Sequence, residues 1–480
     1  MVGPCLFWVR RTWLSAPTTL PRLPREKALS AAYKTKPPLS NLTYALMVPS
    51  VSSSLRRALR VARNRLGSLS RRNRVVRRIL AGGNNARLVL RDNVLPVRSD
   101  PNLVVFASFS GRSVAGSPLA IYEHLLSDPA HSSLRFVWAV RDSSHTLPDA
   151  PLIDNDRTTT LRYGSREFCR AMRAAGVWVS STTMPEHIRR RPQQRYVQTW
   201  HGTPLKKLGR DIPADAAKVS SHDFARRYRH DAKRMTHLLS SSPFTSRVFA
   251  SAFSLDELGK LDILREVGNP RNDRLVAAAS LPRPEQVRLR DQLRDQIGLP
   301  LDATVVLYAP TWRDTVKPSA RGYGYDVSLD LEQLRESWGR DVVIAFRAHY
   351  LMTAHLGEEM REYVIDVSHI PDVNDLLLSS DALITDYSSV FFDFALLGRP
   401  MYFYVPDLDH YAGSARGLYL DSAELPGPVV RTNADLAATP PPGQRDSDDY
   451  TAFLERFATW DDGAASRRLI AQVWRDTIAS

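Results

Sequence analysis

From residue 103 onward the chain alternates short apolar runs with longer stretches in which apolar positions return every three or four residues. The runs 103–109, 136–140, 177–181, 197–200 and 236–239 predict strands. Between them, 118–126, 164–175 and the stretch opening at Pro243 predict helices. A second series starts with a charged helix over 284–297, opened by a proline where a helix tolerates it best. Strands are expected next at 305–309, 342–346, 363–366, 382–385 and 401–405. Strands alternating with helices predict doubly wound α/β sheets. The turn-rich VGNPRNDRL of 267–275 divides the two series. The expected organisation is an arm over 1–100, a first α/β domain over 101–268, and a second over 269–480 that ends in a helix.

The first hundred residues follow another pattern. Prolines interrupt 1–46, and its apolar piece 5–9 precedes Arg10 and Arg11 instead of following a charged region, which makes a poor secretory signal. Basic and acid-poor, 1–46 reads either as an organelle transit peptide or, with Met47 as a second start, as translated leader, and the leader is favoured. Over 55–80, ten arginines and no acid accompany Leu55, Leu59, Leu66, Leu69, Val76 and Ile79 at roughly helical spacing. That predicts a cationic amphipathic helix suited to an anionic membrane surface. Charge sharpens the contrast: of the net +14, +17 lies before residue 101 and about −3 after it. Without interleaved aromatics or an RNA-binding motif, lipid ranks ahead of nucleic acid. No apolar run approaches the ~20 residues that span a bilayer, so the expected location is peripheral, on the cytoplasmic face of the membrane. Cys5 and Cys169 are the only cysteines, which gives neither a disulfide framework nor a cysteine-rich metal site.

Candidate chemistry gathers where strands end. In YVQTWHGTPLKKLG, at 196–209, His201 stands on a predicted strand-to-helix corner. Thr203 suits the N-cap and Pro204 the first helical position, so N–H groups of the first turn, with Lys206 and Lys207, would face an anion beside the histidine. His201 is then either a general base or a histidine that satisfies a buried turn. In the second series Pro310-Thr311-Trp312-Arg313, Arg347-Ala348-His349 and Asp386-Tyr387-Ser388-Ser389 each follow a strand. Ligands of such sheets collect at carboxyl strand ends. Ser388 and Ser389 are expected at a helix N-terminus able to hold a diphosphate, with Arg313 and His349 neutralising it from neighbouring strand ends. Singly, the serines read as caps and Arg313 as a surface ion pair; their joint occurrence favours a site. The loop GRSVAG lacks the GxGxxG spacing and is expected to line a cleft rather than to hold a dinucleotide.

These motifs occur together. VVFASFSGRSVAGSPLAIYE, VQTWHGTPLKKLG, VGNPRNDRL, VLYAPTWR, FRAH, DVNDLLLSSDALITDYSSVFFDFALLGRPMYFYVPD, PGPVV and DDGAASRRLI follow one another along 103–474. In this the chain resembles the CDP-glycerol:poly(glycerophosphate) glycerophosphotransferase family, the teichoic-acid priming and polymerising enzymes. The resemblance implies a GT-B-like fold, two Rossmann-like domains facing across a cleft, with the nucleotide donor held mainly by the second. It implies that His201 removes a proton from the acceptor hydroxyl, that His349 contacts the donor diphosphate, and that Thr311, Arg313, Asp386, Ser388 and Ser389 help hold the donor. Two positions depart from the family pattern. Tyr350 follows His349 where members commonly carry proline, and Ser117 precedes Pro118 where asparagine is usual, a change that bears on acceptor selection.

The implied reaction is attack of an acceptor hydroxyl on the phosphorus that bears a polyol, glycerol first, with CMP leaving. Two histidines, Arg313 and helix N-termini supply a base and charge stabilisation without a metal. No compact HxxxH or clustered DxD pattern forces a metal site, which leaves Mg2+ open only as an adventitious or donor-bound ion. The expected partners are CDP-glycerol or another CDP-polyol, a lipid-linked saccharide or polymer acceptor, and an anionic membrane surface. Two other readings stay open: a nucleotide-sugar glycosyltransferase of the same fold, distinguished by release of UDP and a glycoside, and an inactive membrane-attached scaffold. A body of about 380 residues leans towards single-unit or short-chain transfer.

Overall fold

Why each half of the chain forms a parallel sheet is visible in its central strand. β1 (Asp100–Ala107) and β8 (Thr304–Ala309) are apolar on both faces over their last four or five residues, as a strand covered by helices on either side must be. The protein is described by a computed structural model over residues 87–89, 91–93, 96–141, 153–213, 221–311, 329–347, 360, 362–408, 417–442 and 449–474. The expected helix over 55–80 lies outside these residues, as do Arg313, His349 and Tyr350. The described residues belong to one compact unit.

The first sheet is built from β1, α1 (Gly116–Ser127), β2 (Arg135–Val140), β3 (Thr158–Arg162), α2 (Arg166–Ala174), β4 (Ala175–Ser180), β5 (Arg195–Gln198), α3 (Ser221–Arg234), β6 (His237–Ser240), α4 (Pro243–Ala252) and β7 (Leu264–Glu266). Its strands are all parallel, in the order β3-β2-β1-β4-β5-β6-β7. After α5 (Asp273–Ala279) and α6 (Arg283–Ile297) come β8, α7 (Leu331–Trp338), β9 (Val342–Phe346), β10 (Val364–Asp366), α8 (Val373–Ser379), β11 (Ala382–Thr385), α9 (Val390–Phe394), β12 (Met401–Tyr404) and β13 (Val429–Val430). The second sheet is parallel too, in the order β10-β9-β8-β11-β12-β13. In each sheet the chain winds outward from its first strand, then returns to its other side. The reversals, β1 against β4 and β8 against β11, open crevices at the carboxyl ends of the strands.

Three strands escaped the hydrophobic pattern: β3, β7 and β13. All lie at sheet edges, and β3, reading TTTLR, has no fully buried residue, so no apolar run marks it. The chain closes with α10 (Asn433–Ala438), α11 (Thr451–Phe457) and α12 (Ala465–Val473). The last helix, expected with the second series, returns to the first sheet. Leu469, Ile470, Val473 and Trp474 share a core with Val104, Phe106 and Trp138. An apolar stripe says that a helix is covered, not which sheet covers it. Local signals were better followed at α4, where Pro243 takes the first position and the Ser242 hydroxyl accepts the Thr245 N–H at 3.2 Å.

Candidate active site

The crevice between β1 and β4 is floored by two tight loops. β1 runs into Phe109 and Ser110, both in the left-handed region at φ 48° and 58°. The Ser181 hydroxyl, past the end of β4, accepts the Phe109 N–H at 3.1 Å, and the hydroxyls of Ser110 and Thr182 lie 3.1 Å apart. His201 reaches this crevice from the end of β5. Its corner is bent by Trp200, at φ 53°, and Gly202, at φ 122°. Trp200 is held in that costly conformation by an aromatic cage: ring centroids of Tyr228, Phe249 and Phe253 lie 5.5, 6.0 and 5.4 Å away. Gly202 has no alternative, because a Cβ there would run into the Arg271 guanidinium.

His201 is partly exposed, and its Nδ1 donates to the Ser181 carbonyl at 3.1 Å. A carbonyl only accepts, so the proton sits on Nδ1 and Nε2 keeps its lone pair. Burial pushes the imidazole pKa down to about 4; the Ser181 bond opposes the shift and the Arg271 charge adds to it. The ring is therefore neutral near pH 7, with Nε2 ready to accept a proton.

One expectation about this motif fails. Residues 204–208 are extended and lead into a 3-10 turn at Gly209–Asp211; no α-helix starts at Thr203. The reason is non-local. Leu205 and Leu208 are buried, and their backbone pairs with a distant strip: Lys207 N–H donates to Gly417 O at 3.0 Å, and Tyr419 N–H to Leu205 O at 2.8 Å. Lys206 bridges Leu418. The Tyr419 hydroxyl accepts the Leu208 N–H and donates to Asp211 Oδ2 at 2.6 Å. The N–H groups of residues 207 and 208 are thus committed to the protein and are not offered to an anion. Thr203 is buried with its hydroxyl 3.2 Å from that of Ser241.

The second crevice holds Thr311 and Asp386. Asp386 is buried, and its Oδ1 accepts the N–H groups of Thr311 at 2.7 Å and Tyr387 at 2.5 Å. The carboxylate thereby ties the loop after β8 to the loop after β11. Ser388 and Ser389 are partly exposed just beyond it. Ser389 occupies the N-cap position of α9 but makes no capping bond with its side chain, so capping does not account for it. A cavity of about 250 Å³ lined by Arg283, Arg290, Asp381 and Arg399 lies at the amino ends of β11 and β12, the opposite edge of the sheet, and takes no part here.

Arg271, in the 3-10 turn Pro270–Asn272 that joins the halves, links the two crevices. Its Nη1 donates to His201 O at 2.9 Å and its Nη2 to the Asp393 carboxylate on α9. Both side chains are buried, at 8% and 2% exposure. The helix that follows Ser388 and Ser389 and the corner that carries His201 are therefore joined through Arg271. Beside it Asp461, whose pKa burial pushes up to about 7, accepts from Asn269 N–H at 2.5 Å and Asn272 Nδ2 at 2.9 Å. Ser117, the residue that departs from the family pattern, accepts the Arg271 N–H at 3.4 Å.

A neutral histidine with a free ring nitrogen in one crevice and a pinned loop pair in the other are an arrangement that suits group transfer. Residues 90–475 match the family model described as CDP-Glycerol:Poly(glycerophosphate) glycerophosphotransferase. The chain belongs to this family. It is 33% identical over 380 residues to a teichoic acid glycerol-phosphate transferase of Staphylococcus aureus, covering 78% of this chain and 93% of that one. A teichoic acid poly(glycerol phosphate) polymerase of Staphylococcus epidermidis is 35% identical over 383 residues, of which the match spans 51% of its length. The solved structure of the wall teichoic acid polymerase TagF superposes with a TM-score of 0.71 at 32% identity, over 87% of this chain and 98% of that one. The GT-B-like fold follows, and so does membership among the glycerophosphotransferases as an enzyme. The structure sets His201 in the first crevice and Thr311 with Asp386 in the second, as the strand-end pattern leads one to expect, while the partners Ser181, Arg271 and Asp393 have no such signal. Arg271 lies in the turn-rich VGNPRNDRL and Asp393 in the segment that follows Ser388 and Ser389, but neither position marks the pairing of the two.

Proposed function

We propose that the enzyme transfers glycerol phosphate from CDP-glycerol to a hydroxyl of a membrane-linked acceptor in teichoic-acid-like polymer synthesis, releasing CMP. The observation that carries this reading is the neutral His201, locked through Nδ1 in the crevice of the first sheet. Its Nε2 takes the proton of the acceptor hydroxyl, the oxygen attacks the phosphorus bearing glycerol, and the bond to the CMP oxygen breaks. The first sheet, within 101–268, is the acceptor side; the second, within 269–480, is the donor side. Ser388, Ser389 and the loop of Thr311 hold the diphosphate, with Asp386 orienting both loops and Arg313 and His349 supplying cationic and hydrogen-bonding support. Lys206 and Lys207 contribute charge from the acceptor side, while Thr203 acts through packing.

The arm, with its arginines over 55–80, holds the enzyme at the cytoplasmic face of the membrane, where a lipid-linked acceptor is found. In support, no helix among the described residues is long and apolar enough to cross a membrane. The decisive experiment incubates purified protein with CDP-glycerol, CDP-ribitol and UDP-sugars in the presence of membrane lipid acceptors, and identifies products by mass. CMP and a phosphodiester are expected. UDP and a glycoside would replace the reading with a glycosyltransferase.

A further inference from the structure

Apart from the crevices, one cluster of chemically potent side chains stands out. Asp92, in the short helical segment 91–93, Cys169 on α2, and His187, in the loop after β4, converge on one point. His187 Nε2 lies 3.7 Å from Cys169 Sγ and 3.1 Å from Asp92 Oδ2, and all three atoms fall within 4.8 Å of one another. Asp92 and Cys169 are buried, and the His187 side chain is 13% exposed. A thiol, an imidazole and a carboxylate could also make a nucleophilic relay, but that needs thiol and carboxylate on opposite ring nitrogens. Here both face Nε2, so the ring passes no proton from one to the other.

We propose that Asp92, Cys169 and His187 bind a divalent transition metal ion of the Zn2+ type. Bond lengths of about 2.3 Å to sulfur and 2.0–2.2 Å to nitrogen and oxygen, at tetrahedral angles, put neighbouring ligand atoms about 3.3–3.6 Å apart. The observed separations from Nε2 bracket that range. The donor set selects the ion: thiolate and imidazole suit Zn2+ and its neighbours, whereas Mg2+ and Ca2+ want oxygen. Binding exchanges the Cys169 thiol proton for the ion, and His187 carries its own proton on Nδ1. Arg91 holds Asp92 at both oxygens, Nε to Oδ1 at 2.6 Å and Nη2 to Oδ2 at 2.5 Å. The ion competes only for Oδ2, and the Oδ1 bond then orients the carboxylate from outside.

The site has a structural purpose. Asn93 already fastens this segment to the same loop, donating to His187 O at 2.7 Å and accepting from Arg189 N–H at 3.1 Å. That loop begins at Ser181, whose carbonyl fixes the His201 tautomer. An ion would clamp residues 91–93, the C-terminal part of the expected arm, to the half of the enzyme that carries His201.

The test uses full-length protein without a polyhistidine tag, stripped with a chelator and titrated with Co2+, then Zn2+. One equivalent of Co2+ should raise a thiolate-to-cobalt charge-transfer band together with tetrahedral d–d bands, and Zn2+ should abolish both. Cys169→Ser should lose the charge-transfer band, and His187→Ala and Asp92→Asn should each weaken binding by about tenfold or more. Zn2+ should raise the thermal midpoint of the wild type but not of Cys169→Ser, a near-isosteric change compared with wild type in chelator to verify its fold. Absence of stoichiometric uptake by folded wild type would overturn the proposal. So would an unchanged thiolate-to-cobalt band in Cys169→Ser, which would assign it to Cys5, the chain's other thiol.

Discussion

The Arg271–Asp393 pair offers the sharpest test of how the two halves cooperate, because it should separate stability from catalysis. Replacing Arg271 by Met leaves the Asp393 carboxylate buried without its cation, and replacing Asp393 by Leu leaves the guanidinium in the same position. Breaking a buried pair from one side typically costs about 3–5 kcal/mol, and the exposures of 8% and 2% put this pair in that class. The double variant Arg271→Met with Asp393→Leu strands neither charge, so it should lose clearly less than the sum of the singles, by about 2 kcal/mol or more. Urea denaturation followed by circular dichroism gives all four corners of the cycle. Turnover should not recover with stability. Arg271 also holds the His201 carbonyl, and loosening a catalytic corner by about 1 Å costs roughly 100-fold, so the double variant should stay near that deficit. Additive stability losses would refute the pair as a coupled unit. Wild-type turnover in the double variant would refute Arg271 as a positioning residue.

His201→Ala should lower turnover by about 10²- to 10⁴-fold, the usual share of a positioned base, while donor affinity by calorimetry stays within a few-fold; retained turnover would reduce His201 to a corner residue. Ser388→Ala with Ser389→Ala should weaken CDP-glycerol binding, each lost charge-assisted hydrogen bond being worth roughly 1.5–3 kcal/mol, and an unchanged affinity would move the donor site elsewhere. Deletion of residues 1–78 should release the protein from vesicles containing anionic lipid, since each basic residue near such a surface contributes ~1 kcal/mol; equal flotation of both forms would assign membrane binding to another surface. In the protein alone, the His201 ring should titrate by NMR near pH 4. A value near 6.5, its ordinary one, would mean that water reaches the corner freely.

What could be read in advance followed the range of the physics involved. Alternating apolar runs located the central strands because a strand covered on both faces is apolar throughout, whereas β3, β7 and β13 lie at edges where half the residues need no cover. The strand-end placement of His201, Thr311 and Asp386 was legible because each follows an apolar run. Arg271 and Asp393 were not, since 122 residues separate them and neither charge has a local pattern. The Thr-Pro signal at 203–204 was local and true to type, yet it lost to burial of Leu205 and Leu208 and to pairing with Gly417 and Tyr419 some 210 residues away. The Asp92, Cys169 and His187 cluster was hidden likewise, with 95 residues between Asp92 and His187.

For the proposed role of His201 as base, a pKa near 4 looks too low to deprotonate an alcohol, and the resolution would lie in what faces the ring when donor is bound. Burial is what lowers the value, with Arg271 adding a cation, while the Ser181 bond opposes both. The depressed value also sets the sign of the stability change: the unfolded chain takes up the proton first, so stability present above about pH 6.5 is lost as pH falls towards 4. On the proposed function, an anionic donor diphosphate entering the cleft would reverse the local field. One net negative charge at roughly 6 Å, at an effective dielectric near 20, favours the imidazolium by about 3 kcal/mol, or about two pKa steps. The donor would thus raise His201 towards neutrality and strengthen the base at the moment an acceptor hydroxyl can use it. Without donor the ring stays neutral but feebly basic, which disfavours protonation by water and leaves the crevice uncharged. On the proposed function the expected order is donor before acceptor, and a random-order initial-rate pattern would count against it.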